Sequence, residues 1–296
     1  MDSPGFNTNQ LQMRNAVRHL QEQLEKVGKG GGEKAVAKQR EKNKLTARER
    51  IEYLKDKDSP FWEIGSLAGY DMYEKEGGCP SAGTVGGIIQ VSGKLCVVAA
   101  NDQTVKAGAW FPITCKKNLR LQEIAMENGL PVIYLVDSAG VYLPLQDEIF
   151  PDKEDFGRIF RNNAKMSALG ITQISAVLGP CVAGGAYLPI MSDETLMVEK
   201  NGSIFLAGPY LVKAAIGEDI DAETLGGAST HNAISGIADY QFKTEQECLD
   251  HIRSLMGMSS ESPRAGFNRA VPSAPARNIS DIEGIFSFEG KQYDVI

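Results

Sequence analysis

Two short apolar runs, Leu130-Pro131-Val132-Ile133-Tyr134-Leu135-Val136 and Gln173-Ile174-Ser175-Ala176-Val177-Leu178-Gly179, are each followed closely by a glycine-bearing turn. The first is apolar at nearly every position and rich in β-branched residues, which predicts a strand covered on both faces, since a strand with one wet face would alternate. The second repeats the pattern. Chemistry in folds built from such strands collects where the strands end.

The turns are Asp137-Ser138-Ala139-Gly140 and, after Pro180-Cys181-Val182, Ala183-Gly184-Gly185-Ala186 leading into a helix-like Tyr187-Leu188. A helix N-terminus offers unpaired N–H groups and the positive end of a dipole. Donors from two separate turns can hold the oxygen of a thioester as it becomes an enolate. The competing reading is that these glycines only permit tight turns and close strand–helix packing. Two such turns in one chain favour the first reading.

At 296 residues and 42% hydrophobic content, the chain can bury one large α/β core. A net charge of −7, with no ladder of aromatic and basic residues, argues against a general nucleic-acid binder. The five cysteines lie far apart without CxxC spacing, so they read as buried, reduced thiols; no zinc site, other metal site or disulfide framework is expected. The first residues lack the order of a secretory signal, and no apolar stretch approaches a membrane span. The expected compartment is the cytoplasm, or the mitochondrial matrix for a eukaryotic chain.

Along the chain, Leu11, Met13, Val17, Leu20 and Leu24 mark an amphipathic helix over 10–27 whose stripe needs a partner surface. Gly28-Lys29-Gly30-Gly31-Gly32 reads as a flexible linker, because it lacks the Gly-Lys-Ser/Thr ending of a phosphate loop and follows a helix. A second, charged helix is expected over 33–56, before Pro60. Residues 86–100 read as a hairpin turning at Ser92-Gly93. Helices at 113–128 and through 158–169 then alternate with the two core strands, which implies parallel pairing with right-handed crossovers. From 259 the composition turns Pro/Ser-rich, and apolar character resumes at Ile282. The expected layout is a helical extension over 1–60, a core domain over 61–258, a linker over 259–281 and the opening of a second, cut-short domain over 282–296.

Conventional catalytic side chains are scarce. His19, His231 and His251 sit beside no recognisable nucleophile and read as surface or structural residues. Asp147, Glu148, Asp152, Glu154 and Asp155, flanked by Lys153 and Arg158, fit a solvated helix start better than a metal site. A reaction that uses backbone donors, and whose base arrives with the reactants, suits such a chain.

Five ordered motifs give the chain a resemblance: Asn101-Asp102-Gln103-Thr104-Val105-Lys106-Ala107-Gly108, Ile133 through Gly140, Phe156-Gly157-Arg158-Ile159-Phe160, Ala183-Gly184-Gly185-Ala186-Tyr187 and Ile204-Phe205-Leu206-Ala207-Gly208-Pro209. Together with Leu225-Gly226-Gly227-Ala228 and Gly236-Ile237-Ala238-Asp239, they resemble the β-subunit carboxyltransferases of biotin-dependent acyl-CoA carboxylases, most of all the methylcrotonyl-CoA branch. The resemblance implies a crotonase-like α/β fold, a superhelix of ββα units. It implies transfer of CO₂ from carboxybiotin on a partner chain to an acyl-CoA, with the freed biotin nitrogen taking the substrate's proton. It places the N–H groups of Ala139, Gly140, Gly184 and Gly185 on the thioester oxygen, and Lys106, Ala107, Gly108 and Ser138 where CoA enters. The implied assembly is a hexamer of β chains with α subunits that carry biotin carboxylase and biotin.

Two departures stand out: Ala139 replaces a usual glycine, which keeps the N–H but restricts φ, and Leu145 replaces a usual arginine, which removes a cation near the acyl pocket. Other readings remain open at this level. They are a carboxyltransferase subunit of a sodium-pumping glutaconyl-CoA-type decarboxylase, a propionyl-CoA or other acyl-CoA carboxylase chain, and a non-enzymatic assembly module.

Overall fold

The computed structural model describes residues 4–150, 152–259 and 270–290. The chain divides into two compact units, Gly28–Pro263 and a smaller one of Met1–Val27 with Arg264–Ile296.

The large unit is built on one mixed sheet. Its strands are β1 (Trp62–Glu63), β2 (Thr84–Val91), β3 (Lys94–Asn101), β4 (Val132–Ser138), β5 (Gln173–Val182), β6 (Glu194–Val198), β7 (Ser203–Phe205) and β8 (Tyr240–Phe242). They run in the order β1-β2-β3-β4-β5-β6-β8, with β7 beside the end of β5. The expected hairpin forms, with Val91 opposite Lys94 and left-handed Ser92 and Gly93 turning between them. From β3 onward every pair is parallel, as alternating strands and helices require.

Alternate residues of the central strands feed two cores. Val97, Ala99, Val132, Tyr134 and Val136 face α4 (Pro112–Asn128) and α5 (Asp155–Ala168), where Cys115, Leu121, Ile159 and Met166 close the layer. Val98, Ala100, Ile133 and Leu135 face the opposite layer. There, α3 (Ala47–Leu54) contributes Ala47, Ile51 and Leu54, and α10 (Glu245–Met258) contributes Cys248, Leu249, Ile252 and Met256. Both faces of β4 are thus covered, and all seven of its residues are buried. Short helices α6 (Tyr187–Ile190), α7 (Pro209–Ile216), α8 (Ala222–Gly226) and α9 (Ala228–Thr230) fill the connections after β5. The five cysteines are free and buried, and burial pushes their thiols well above the usual range.

Three sequence expectations change here. The charged helix over 33–56 is two helices, α2 (Glu33–Glu41) and α3, broken where Asn43 turns left-handed and Lys44 is drawn into the interior. Thr46 restarts the chain with a reciprocal cap, its side chain accepting from the Glu49 N–H while Glu49 accepts from the Thr46 N–H. The glycine run is a packed strap, not a free linker. Gly31 donates its N–H to Thr104 Oγ1 at 2.9 Å, and a Cβ on Gly31 would sit 1.8 Å from the Thr104 carbonyl oxygen. The boundary drawn at residue 60 also moves, since α3 lies inside the main core and the units part between Val27 and Gly28.

In the small unit, α1 (Pro4–Gly28) carries the expected stripe, with Leu11, Val17, Leu20 and Leu24 exposed. The turn Ile279–Gly284 packs on this helix through Asn9 Nδ2 to the Gly284 carbonyl (3.1 Å) and Arg14 to Glu283 (2.8 Å). Residues 260–269 of the expected linker and 291–296 of the expected second domain lie outside the described residues.

Candidate functional site

The two glycine turns meet at the carboxyl ends of β4 and β5. Beyond a register shift after Val136, Ser138 pairs with Cys181. Gly140 follows at φ 89°, and a Cβ there would lie 2.9 Å from the Val182 carbonyl oxygen, so glycine lets the first turn lean on the strand that leads to the second. From the other side, a Cβ on Gly185 would fall 3.9 Å from Ser138 Oγ and 4.0 Å from the Gly140 Cα. The turns share a seam.

A third loop is stitched to the first turn. Lys106, Ala107 and Gly108 all adopt left-handed φ, at 49°, 55° and 69°. For the two residues with side chains, such strain costs about 1–3 kcal/mol each and persists only where the surroundings over-determine it. They do so here. Ser138 Oγ donates to the Gly108 carbonyl (2.7 Å), the Ala139 N–H to the Ala107 carbonyl (3.0 Å) and the Trp110 N–H to the Gly140 carbonyl (2.8 Å).

This stitching decides which N–H groups remain for a ligand. The N–H of Ala139 is spent on Ala107, and that of Gly140 on Ser138 Oγ at 3.1 Å. The expectation that these two donors face a substrate oxygen does not hold in this geometry. The next N–H, that of Val141, is placed differently. Val141 bridges Trp110 in parallel, with the bonds made by the Gly140 carbonyl and the Tyr142 N–H, so the N–H of Val141 points away from Trp110. It makes no hydrogen bond among the described residues. No motif spacing reveals this donor, because it depends on pairing with a residue on a distant loop.

Gly184 and Gly185 lie in the short 3₁₀ turn Ala183–Ala186, whose opening N–H groups have no partner within the turn. A Cβ on Gly184 would touch only the Phe156 ring, at 3.9 Å. That ring belongs to an aromatic wall: Trp110 to Phe156 at 4.9 Å, Phe156 to Phe160 at 5.6 Å and Phe160 to Tyr187 at 4.7 Å. Ala139 keeps an ordinary φ, so its methyl group leaves the turn unstrained. Leu145 packs, half-buried, against the small cluster of Val105 and Phe111, which accounts for an apolar residue there.

Beneath the first turn lies a buried ionic cluster. Asp137 Oδ2 is 2.6 Å from Lys44 Nζ and 3.0 Å from an Arg50 nitrogen, and Arg50 makes two further bonds to Glu245 at 2.6 and 2.9 Å. Burial lowers the Lys44 pKa against the pull of Asp137. For Arg50 burial acts in the same sense, but Asp137 and Glu245 outweigh it and raise the pKa. Two positive and two negative groups neutralise each other where any single one would be costly. The backbone of the first turn is thereby anchored to α3 and α10.

The remaining candidates are structural. His231 binds the Ile204 carbonyl (2.7 Å) and Ser235 Oγ (2.8 Å), and His251 packs, with its ring tilted, against Tyr240 and Phe242. Asp147, Glu148, Asp152 and Glu154 are exposed ahead of α5. Among the described residues no group of His, Cys, Asp and Glu could hold a metal ion, and no helix is long and apolar enough to cross a membrane.

A family model described as "Carboxyl transferase domain" matches residues 38–295. The chain is 46% identical to the mitochondrial methylcrotonoyl-CoA carboxylase beta chain of Arabidopsis thaliana, over 99% of this chain and 51% of that one. The beta subunit of geranyl-CoA carboxylase from P. aeruginosa superposes with a TM-score of 0.85 at 34% identity, over 99% of this chain and 54% of that one. Transcarboxylase 12S, solved as a hexamer with methylmalonyl-CoA and methylmalonic acid bound, gives 0.78 at 30% identity, over 84% and 48%. The chain spans about half the length of the curated relatives it matches. Its layered α/β core, preceded by helices, is the crotonase-like fold of these carboxyltransferases, and the chain belongs to the carboxyl transferase domain family.

Proposed function

We propose that this chain forms the acyl-CoA half of the carboxyltransferase site of a biotin-dependent acyl-CoA carboxylase, acting on 3-methylcrotonyl-CoA or a similar branched enoyl-CoA. The seam between the two turns carries the reading, because the N–H groups of Val141 and Gly184 border it and make no hydrogen bond among the described residues. When the acidic proton leaves an acyl thioester, negative charge gathers on the thioester oxygen. Fixed donors lower the energy of that state, each by a factor of roughly 10² to 10³ in rate.

The wall of Phe156, Phe160 and Tyr187 gives a branched acyl chain an apolar flank. Ala107, Gly108 and Ser138 hold the first turn, and together with Lys106, whose side chain is exposed, they line the approach for CoA. The side chains at the seam are those of Ser138, Trp110 and Phe156, none of which is a base at neutral pH. Biotin, carried by a partner chain, supplies when bound the CO₂ and the nitrogen that accepts the proton.

The proposed layout keeps the acyl-CoA half-site within 61–258, with a linker over 259–281 and a second carboxyltransferase domain opening at 282. The segment of α2 and α3, which belongs to the same unit, contributes Lys44 and Arg50 to the foundation of the site. The biotin side of the site is assigned to the other half of the length that the relatives possess. The proposed partners are further copies of this chain, in a hexamer, and α subunits bearing biotin carboxylase and the biotin carrier; the proposed compartment is the cytoplasm, or the matrix in a eukaryote.

Calorimetric titration of the folded chain with 3-methylcrotonyl-CoA, propionyl-CoA and free CoA tests the reading. Tighter binding of one acyl thioester than of free CoA supports it and ranks the acyl groups. Equal affinities, or no binding by a folded chain, would remove the acyl pocket from this half.

A further inference from the structure

Trp110 carries an indole N–H that the fold does not use. The residue is 1% exposed, and Nε1 has no hydrogen-bond partner among the described residues. A buried donor left unpaired is uncommon and destabilising. This one cannot easily turn away. Its backbone is pinned on both sides, the N–H to the Gly140 carbonyl and the carbonyl to the Tyr142 N–H, and its ring packs on Phe156.

The indole nitrogen faces the seam. A Cβ on Gly185 would lie 3.9 Å from Trp110 Nε1, 3.9 Å from Ser138 Oγ and 4.0 Å from the Gly140 Cα, with nothing nearer. Because Gly185 has no side chain, nothing stands between the second turn and the indole edge. Ser138 Oγ already donates to Gly108 and accepts from Gly140, so the indole N–H is the side-chain donor left at the seam.

We infer that the Trp110 indole N–H is a donor to the acyl oxygen of the bound thioester, acting beside the backbone N–H groups of Val141 and the second turn. The assignment rests on the acyl-CoA reading of the seam and deepens it. Two turns position the oxygen, and a buried side chain completes its solvation from the protein side.

The test is Trp110→Phe in the assembled carboxylase, with kcat, KM for 3-methylcrotonyl-CoA and melting temperature measured together. The aromatic packing is retained while the donor is lost. The expected result is a fall in kcat of about 10²-fold with little change in KM and a melting temperature close to that of the parent. A kcat within about twofold of the parent overturns the assignment. If activity and melting temperature fall together, Gly185→Ala decides, since its methyl group would stand between the turn and the indole at ordinary contact distance. Lost kcat in that folded variant supports the inference, and parental kcat overturns it. A parent enzyme that does not carboxylate any acyl-CoA sinks the underlying reading itself, which separates the two failures.

Discussion

Lys44 Nζ lies 2.6 Å from Asp137 Oδ2, with both side chains almost wholly shielded from water. A lysine on the loop between two surface-charged helices thus reaches the end of the central strand, at the residue where the first turn begins. Lys44→Met leaves the interior with an uncompensated negative charge and should cost about 3–5 kcal/mol in urea unfolding. Adding Asp137→Asn should recover part of that loss, because Arg50 and Glu245 still balance. A single-variant cost below about 1 kcal/mol would mean that the pair is solvated.

The two turns should respond differently to a methyl group. Gly140 has φ 89° and faces the Val182 carbonyl, whereas Gly184 has room to 3.9 Å. Gly140→Ala should lose about 1–3 kcal/mol of stability and most acyl-CoA affinity. Gly184→Ala should fold normally, and its effect should show in binding or turnover. Melting curves with acyl-CoA titrations check both, and equal melting temperatures would refute the contrast.

Lys117 is buried, donates to the Gly65 and Ser81 carbonyls, and burial lowers its pKa to about 8. Between that value and the ordinary lysine range the unfolded chain holds the proton more tightly than the folded one, so this lysine's contribution to stability rises with pH. The stability of the parent minus that of Lys117→Met should grow from pH 8 to 10, by at most about 1.4 kcal/mol per pH unit. Taking the difference cancels the opposing effect of the buried thiols. A flat difference across that range would show that Lys117 titrates normally.

The glycine strap should be intolerant at one position. A Cβ on Gly31 meets the Thr104 carbonyl at 1.8 Å, while Gly28 has nothing within 4 Å. Gly31→Ala should lower stability by about 1–3 kcal/mol and weaken acyl-CoA binding, because the strap braces the segment leading into Lys106. Gly28→Ala should be neutral or stabilising by up to about 1 kcal/mol. Thermal unfolding of the two variants distinguishes a brace from a free linker, for which both would be silent.

Much of this architecture can be read from local pattern. The hairpin at Ser92-Gly93, the two-faced β4 and the stop of α4 at Gly129 all follow from side-chain alternation or glycine placement. The unreadable parts depend on partners far away in sequence. Helical pattern runs through Asn43 and Lys44, yet the helix breaks because Asp137 provides a buried counter-charge. The glycines after α1 have linker composition, yet Thr104 gives them a surface to lie on. Ala139 and Gly140 carry the visible motif, but their N–H groups are claimed by Ala107 and Ser138, and the free donor falls at Val141. Trp110 looks like ordinary core until its unpaired nitrogen is seen facing Gly185.

The clasp between Arg50 and Glu245 joins groups 195 residues apart. On a ribosome adding about 5–20 residues per second, that separation amounts to roughly ten to forty seconds of translation. Over the later part of that interval Asp137, Lys44 and Arg50 are all present, but the acid that balances Arg50 has not been made. The reactive loop is therefore among the last parts of the nascent chain to set, and the stretch encoding α10 acts as the timer for the whole site.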